Sequence, residues 1–289
     1  MNSSSELILN PKGHVYHLDL SRDMVAPVCI TVGDPDRVSH VSKYFDHIDI
    51  RQSHREFVTH VGRINQKPIM VISTGISTDN IDIVFNELDA LVNIDLHTGQ
   101  PLDHKSQLQF IRIGTTGALD PDIPVNSILI NPIAFGLDSL MRFYPEAVRY
   151  PDETWINALN VLQRELFFGA YVGHADQSLL QAFGKDTYAG IAITCPGFYG
   201  PQGRSLRLKS LYDQSLFQNL FTLEYQGYRF SNFEMETAGI YGLASALGHR
   251  AVSLNIVLAN RANGTFSADA NEAVDDGIAL LMNKISDWI

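Results

Sequence analysis

Basic residues are in short supply. The chain sets 21 lysines and arginines against 32 aspartates and glutamates, for a formal charge of −11. Nucleic acid and anionic membrane would meet no complementary field, so neither is an expected partner. Cysteine is scarcer: Cys29 and Cys195 both lie in apolar, strand-like runs, which fits reduced core thiols and not a disulfide framework. No run of about 18 apolar residues occurs, and Met1 to Gly13 carries no signal-peptide hydrophobic region. The expectation is a soluble, cytoplasmic chain.

The motifs of several common chemistries are missing as well. No Gly-x-Gly-x-x-Gly follows a strand, and there is no Walker lysine loop, no Gly-x-Ser-x-Gly elbow and no His-Glu-x-x-His pair. The ten histidines show no ligand spacing with the cysteines, so no zinc site is expected. Redox, kinase and classical hydrolase readings lose support. No fixed-period repeat or charged linker divides the 289 residues, so one domain spanning 1–289 is expected, with 1–13 flexible.

What is present is a recurring strand, glycine loop and helix pattern, an α/β reading. Val28-Cys29-Ile30-Thr31-Val32 delivers Gly33-Asp34-Pro35-Asp36-Arg37, and Leu108 to Ile111 delivers Arg112-Ile113-Gly114-Thr115-Thr116-Gly117. Carboxyl ends of strands are where ligands sit in open α/β sheets, and two arginine-bearing loops there would suit one small anion. Gly33 lets backbone approach closely, while Asp34 and Pro35 read as the start of a helix over 36–45. A plain turn with a solvated Arg37 satisfies the same residues.

Further along, 46–51, 57–64 and 68–73 read as strands, with Ser53 to Glu56 between the first two. Thr74 to Thr78 leads into a helix whose apolar face holds Ile81, Val84, Phe85, Leu88, Leu91 and Val92. Residues 93–106 read as a polar surface excursion. Asp152 to Phe168 reads as one amphipathic helix with Trp155, Leu159, Leu162 and Leu166. Leu216 to Tyr225 reads as another, and Asn232 to Glu236 as the opening of a helix that ends at Gly248. Val252 to Leu258 is a buried strand, and the last helix carries Ala270, Val274, Ile278, Leu281, Ile285 and Trp288.

Two residue sets suit a nucleoside. A carboxylate at Glu234 or Glu236 would accept both hydroxyls of a vicinal diol, although a pair of acids answering a helix dipole reads equally well. Gln202 and Arg204, on the loop Pro196 to Arg204, offer an amide and a fork of donors to a planar imide edge such as uracil. A Pro-Gln-Gly turn before an exposed arginine is the bland equivalent. Phe198, Tyr199 and Phe233 would stack on a base or simply be core.

The segments GDPDRV, SHREF, STGI, RIGTTGAL, FYGPQGR, NFEMET and ANR, in this order from about His17 to Arg261, resemble the nucleoside phosphorylase-I family, most closely its uridine phosphorylases. The resemblance implies a three-layer α/β/α fold with a mixed, partly barrelled central sheet. It also implies reversible phosphorolysis, with uridine and inorganic phosphate as substrates, in pyrimidine salvage. Gly33, Arg37, Arg112 and Thr115 match phosphate ligands, and Arg55 matches a phosphate arginine donated by a neighbouring subunit. His17 matches a histidine reaching across that interface to the 5′-hydroxyl. Met235 and Glu236 match ribose contacts, Gln202 and Arg204 pyrimidine contacts, Phe198 a ring packed on the base and Arg261 an arginine near the base pocket. Arg37, Arg112, Arg204 and Glu236 are the expected catalytic set.

A homodimer is then the minimal active unit, and bacterial relatives reach hexamers. No cofactor or resident metal is expected; some members hold an interface potassium ion beside the residue matching Glu56. Purine-cleaving relatives place a Ser-Asp pair at the end of the last strand. This chain has Leu258-Ala259-Asn260-Arg261 there, which favours a pyrimidine. One departure is local: the family usually continues glycine-rich with Pro-Ser after the STGI segment, where this chain has Ser77-Thr78-Asp79-Asn80.

Overall fold

In the computed structural model of the protein, residues 6–212, 216 and 219–289 are described. The strands are β1 (Val28–Val32), β2 (His47–His54), β3 (Phe57–Ile64), β4 (Lys67–Ser73), β5 (Ile94–Asp95), β6 (Gln100–Pro101), β7 (Gln109–Ala118) and β8 (Ile128–Ile130). They continue as β9 (Ile133–Gly136), β10 (Tyr171–His174), β11 (Tyr188–Ala189), β12 (Ile191–Thr194), β13 (Glu224–Tyr225), β14 (Tyr228–Glu234), β15 (Arg250–Asn260) and β16 (Thr265–Phe266). The helices are α1 (Arg37–Ser42), α2 (Thr78–Asn93), α3 (Glu153–Ala158), α4 (Val161–Leu166), α5 (Gln177–Phe183), α6 (Thr237–Leu247) and α7 (Ala270–Trp288).

The fold is α/β around a mixed sheet in the order β10-β9-β12-β14-β7-β1-β4-β3-β2, with β15 and β8 leaving that path at β7. β1 is buried at every residue because parallel partners, β4 and β7, hold both its edges. β2, by contrast, alternates exposed and half-buried residues at the open end of an antiparallel set. Helix α2 packs on α6, and α1 on α7. The apolar face expected for α2 is buried at Ile81, Val84, Phe85, Leu88 and Leu91.

β7 is the strand that places everything else. β1 runs parallel to it as far as the pair Thr31 and Arg112. β14 arrives antiparallel from the other end, pairing Asn232 with Ala118 and Phe233 with Gly117. The carboxyl ends of β1 and β14 therefore point at each other over Ile113 to Thr116, while β15 holds the opposite edge of the same stretch. Close packing is built in: a Cβ on Gly114 would collide with Nη1 of Arg112 and Oδ1 of Asn255.

Several elements differ from the sequence expectation. Arg112 to Gly117, expected as a loop after a strand ending at Ile111, lie inside β7, because β15 pairs with the whole stretch from Gln109 to Ala118. The 152–168 segment is two short helices, because Leu159 is extended and the Asn160 side chain caps a new start by accepting from the Gln163 N–H at 3.0 Å. Leu162, expected to be inward, is 58% exposed in consequence. Of the helix expected over 216–225, Leu216 is helical and buried, whereas Leu220–Thr222 form a 3₁₀ turn followed by β13, which folds back on β14 through Gln226 and Gly227 at positive φ. Residues 213–215, 217 and 218 lie outside the described chain. Asn232 to Glu234 ends β14, and the helix begins only at Thr237. The 36–45 helix is regular only over Arg37–Ser42; Asp34 Oδ1 accepts the Asp36 N–H. The 93–106 excursion contains the hairpin of β5 and β6, tied down by Asn93. Leu9 bridges Val15, so order begins inside the segment expected to be flexible. Strand β9 and helix α5, capped by Asp176, went unread in the sequence.

Two substitutions probe these features. Asn160→Ala is expected to lower stability by about 1 kcal/mol in a denaturant titration, with Asn160→Asp retaining most of it. Gly114→Ala must push Arg112 aside and is expected to cost about 1–3 kcal/mol in the same measurement.

Candidate active site

At the gap along β7 lies a buried guanidinium. Arg112 is 6% exposed; its Nη1 donates to Asn255 Oδ1 at 2.6 Å and its Nη2 to Glu236 Oε2. Two of the five N–H donors of an arginine are thereby engaged. Burial works against the Arg112 charge, but Glu236 and Glu234 more than offset it and hold the group above the ordinary arginine value. Glu236 is pushed up by burial and by Glu234, against the pull of Arg112 and of the Ser77 N–H at 2.8 Å.

Glu234 lies 3.8 Å from the same Nη2 but is otherwise committed. One of its oxygens accepts the Glu236 and Thr237 N–H groups at 2.8 and 2.7 Å, and the other the Thr194 hydroxyl. It caps the start of α6, the structural alternative read from the sequence, while Glu236 faces Arg112. Because both acids leave a strand end and not a helix, both reach the one guanidinium.

Arg37, half-buried at the first turn of α1, joins this group. Burial and Arg112 pull its pKa below the usual arginine value, while Asp34 and Glu236 oppose the shift. Gly33 packs against the loop that follows β4: a Cβ there would contact the Gly75 carbonyl oxygen at 3.4 Å. Thr115, half-buried, sits on β7 within the gap between β1 and β14, and Met235 is half-buried between the two glutamates.

The loop after β12 forms a second group. Arg204 Nη1 donates to Gln202 Oε1 at 2.5 Å and to the Phe198 carbonyl oxygen at 2.6 Å, and its Cζ lies 3.8 Å from the Phe198 ring centre. Gln202 is 3% exposed, and its carbonyl oxygen accepts from Arg261 Nη1 at 2.7 Å. Burial, reinforced by Arg204, pushes Arg261 down to about 10. Burial likewise lowers Arg204. Phe233 is 2% exposed in a core cluster with Arg261 lying 5.3 Å over its ring, whereas Phe198 is 50% exposed. Of the two rings, Phe198 offers the open face. The Cys195 thiol is buried beside this group and pushed up by desolvation.

His17 and Arg55 stand apart from both groups. His17 Nδ1 meets Glu87 Oε1 at 2.6 Å, and Glu87 also accepts the His17 and Leu18 N–H groups. Arg55, at φ +56° in the turn between β2 and β3, is exposed with its Cζ 5.3 Å from the Tyr16 ring centre. Neighbouring Glu56 is also exposed, near Gly75. Among the described residues no cluster of three or more His, Cys, Asp or Glu side chains could hold a metal ion.

The amides that support Arg112 were missed in the sequence. Asn255 Nδ2 donates to Asn131 Oδ1 at 2.8 Å, Asn131 Nδ2 to Asn232 Oδ1 at 2.8 Å, and Asn232 Nδ2 to Thr116 Oγ1 at 2.9 Å. Thr116 completes the line by donating to the Phe233 carbonyl oxygen at 2.6 Å. Only Asn255 stands in a mostly apolar strand run, where a buried amide needs partners; Asn131 falls between β8 and β9, and Asn232 shares β14 with Arg229, Ser231 and Glu234.

Comparisons with known proteins bear on the family and the fold. A uridine phosphorylase of Thermococcus kodakarensis is 32% identical over 263 residues, 91% of this chain and 83% of the relative. A uridine phosphorylase of Haemophilus influenzae is 30% identical over 251 residues, 86% of each chain. The crystal structure of a Trypanosoma brucei nucleoside phosphorylase with uridine phosphorylase activity superposes with a TM-score of 0.85 at 25% identity, covering 98% of this chain and 100% of the other. The family model of the phosphorylase superfamily matches residues 27–286, a span that takes in the loop after β1, the buried guanidinium and the loop after β12 alike, and the chain belongs to that superfamily.

Proposed function

We propose that the chain is a uridine phosphorylase, converting uridine and phosphate reversibly to uracil and ribose 1-phosphate in the cytoplasm. The observation that carries this reading is the buried Arg112, gripped by Asn255 and Glu236 with Arg37 beside it. Two guanidinium groups that converge with donors to spare suit an oxyanion, and the adjacent carboxylate suits the ribose it attacks. The likeness to uridine phosphorylases of two organisms supports the base assignment.

In this reading Arg37, Arg112, Gly33 and Thr115 hold phosphate below C1′, and Glu236 and Met235 hold the ribose. As phosphate attacks, the C1′–N1 bond breaks, positive charge gathers on the sugar and negative charge on the departing uracil. Arg204 stabilises that charge, Gln202 orients the ring and Phe198 packs on it, with Arg261 behind the amide. Preorganised donors of this kind are typically worth about 10²–10³ in rate each. No purine acid stands at the end of β15: Asn260 is fully buried and donates to the Asp120 and Ile123 carbonyl oxygens. His17 and Arg55, held on the surface of one protomer, serve the site of a second, so a homodimer is the smallest complete unit. The 1–289 chain acts as one domain.

An assay with uridine, thymidine and inosine, with and without phosphate, tests this. Uridine is expected to be cleaved only with phosphate. Arg37→Ala is expected to lose phosphate saturation, and Arg204→Ala to lose about 10²–10³ in uridine turnover with a smaller change in the KM for phosphate. Uracil release without phosphate would point to hydrolysis instead. Burial raises Glu236 above the ordinary value of 4.5. Uridine binding, measured calorimetrically without phosphate, is therefore expected to weaken on acidification with a midpoint above that value, as the carboxylate loses the lone pairs that accept the diol.

A further inference from the structure

Ser77 lies just before α2 with φ +88° and ψ 160°. That part of backbone space belongs essentially to glycine, because a Cβ there crowds the neighbouring peptide groups. The side chain returns nothing to the helix: Ser77 occupies the N-cap position of α2 without a side-chain capping bond. What the conformation achieves is to aim the Ser77 N–H at Glu236 Oε1, 2.8 Å away. Residues held in such regions persist where the surroundings over-determine them, and they concentrate at functional sites.

We propose that Ser77 is a positioning residue for ribose selectivity: its peptide N–H fixes the carboxylate of Glu236 so that one lone pair on each oxygen faces a vicinal diol. This rests on the reading of Glu236 as the ribose ligand. An ionised carboxylate has about four acceptor directions, two on each oxygen. Arg112 takes one on Oε2 and Ser77 one on Oε1. One remains on each oxygen, the complement of a 2′,3′-diol. Arg112 alone would leave the terminal torsion of Glu236 loose, since such torsions are broad; the second donor removes that freedom. Glu234 is no substitute, because its oxygens are occupied by Thr194 and by two backbone N–H groups. A 2′-deoxyribose would leave one buried acceptor unmet, and an unmet buried group is what gives polar sites their discrimination.

Replacing the Ser77 amide by an ester removes the donor and keeps the side chain. The expected result is a fall of about tenfold in the ratio of kcat/KM for uridine over 2′-deoxyuridine, with the KM for phosphate little changed. In the ligand-free protein, carbon-13 NMR of Glu236 is expected to show the carboxyl titrating at higher pH than in the wild type, because a donor to its charged form is gone. Ser77→Gly relieves the crowding and is expected to raise Tm by about 2–4 °C. An ester protein with the wild-type titration overturns the positioning role whatever the activity, and a lowered Tm in Ser77→Gly overturns the strain. A wild-type protein inactive on uridine defeats the ribose reading alone, since the titration decides Ser77 without substrate.

Discussion

The contact between Arg112 and Glu236 is the interaction the site is built to sustain. Two opposite charges withdrawn from water are costly unless their remaining donors and acceptors are met, and removing one partner of such a pair typically costs about 3–5 kcal/mol. Here each is met by a different part of the chain. Asn255 of β15 takes one end of the guanidinium, and Ser77, before α2, takes one oxygen of the carboxylate. Glu234 adds negative charge nearby while capping α6. Two carboxylates and two helix starts thus converge on one guanidinium. Its orientation is set by the assembly of distant segments and not by its own strand.

The line of amides behind Arg112 extends this logic. From Asn255 through Asn131 and Asn232 to Thr116, each side chain both donates and accepts, and the line returns to the backbone of β14 at Phe233. A satisfied network of this kind stiffens the strands it crosses, because moving one member leaves the next unpaired in a low-dielectric setting. The base-side loop works with less. Arg204 and Arg261 approach each other with backbone and amide oxygens as partners, and both are pulled below the ordinary arginine value. Two crowded cations are a poor resting arrangement and, in the proposed reading, a good one for negative charge that appears only as a bond breaks.

Much of this was legible in the chain, for identifiable reasons. The glycine loop after an apolar run marked the end of β1, since a strand that must bury both faces leaves few other readings for Val28 to Val32. The same pattern misled at Arg112 to Gly117, which continue β7 as far as Ala118. The family resemblance rested on seven short segments, these two among them. Local pattern misled at Asp152 to Phe168, where helical periodicity was real but Asn160 offered a better cap than continuation. It misled again at Asn232 to Glu236, where acids before an apolar run imitate a helix start although the strand pairing of Asn232 and Phe233 with β7 prevails. The asparagine line could not be read at all. It depends on residues more than a hundred positions apart meeting in one layer, and no local window contains that information.

The change of partner along β7 has a consequence for how such a protein can diversify. Ile113 to Thr116 lie in the interior of a sheet, where a vacant ladder edge is shielded from other chains by the strands on either side. The floor of the gap is therefore a fixed element of the scaffold, and Arg37 after β1, Ser77 after β4 and Glu236 after β14 meet over it, whereas the loop after β12 holds its own group of Gln202, Arg204 and Arg261. In the proposed reading the anion contacts come from β7 and the segment after β1, and the base contacts from the loop after β12. On that reading, changes in the loop after β12 alter what is accepted without touching the residues around Arg112.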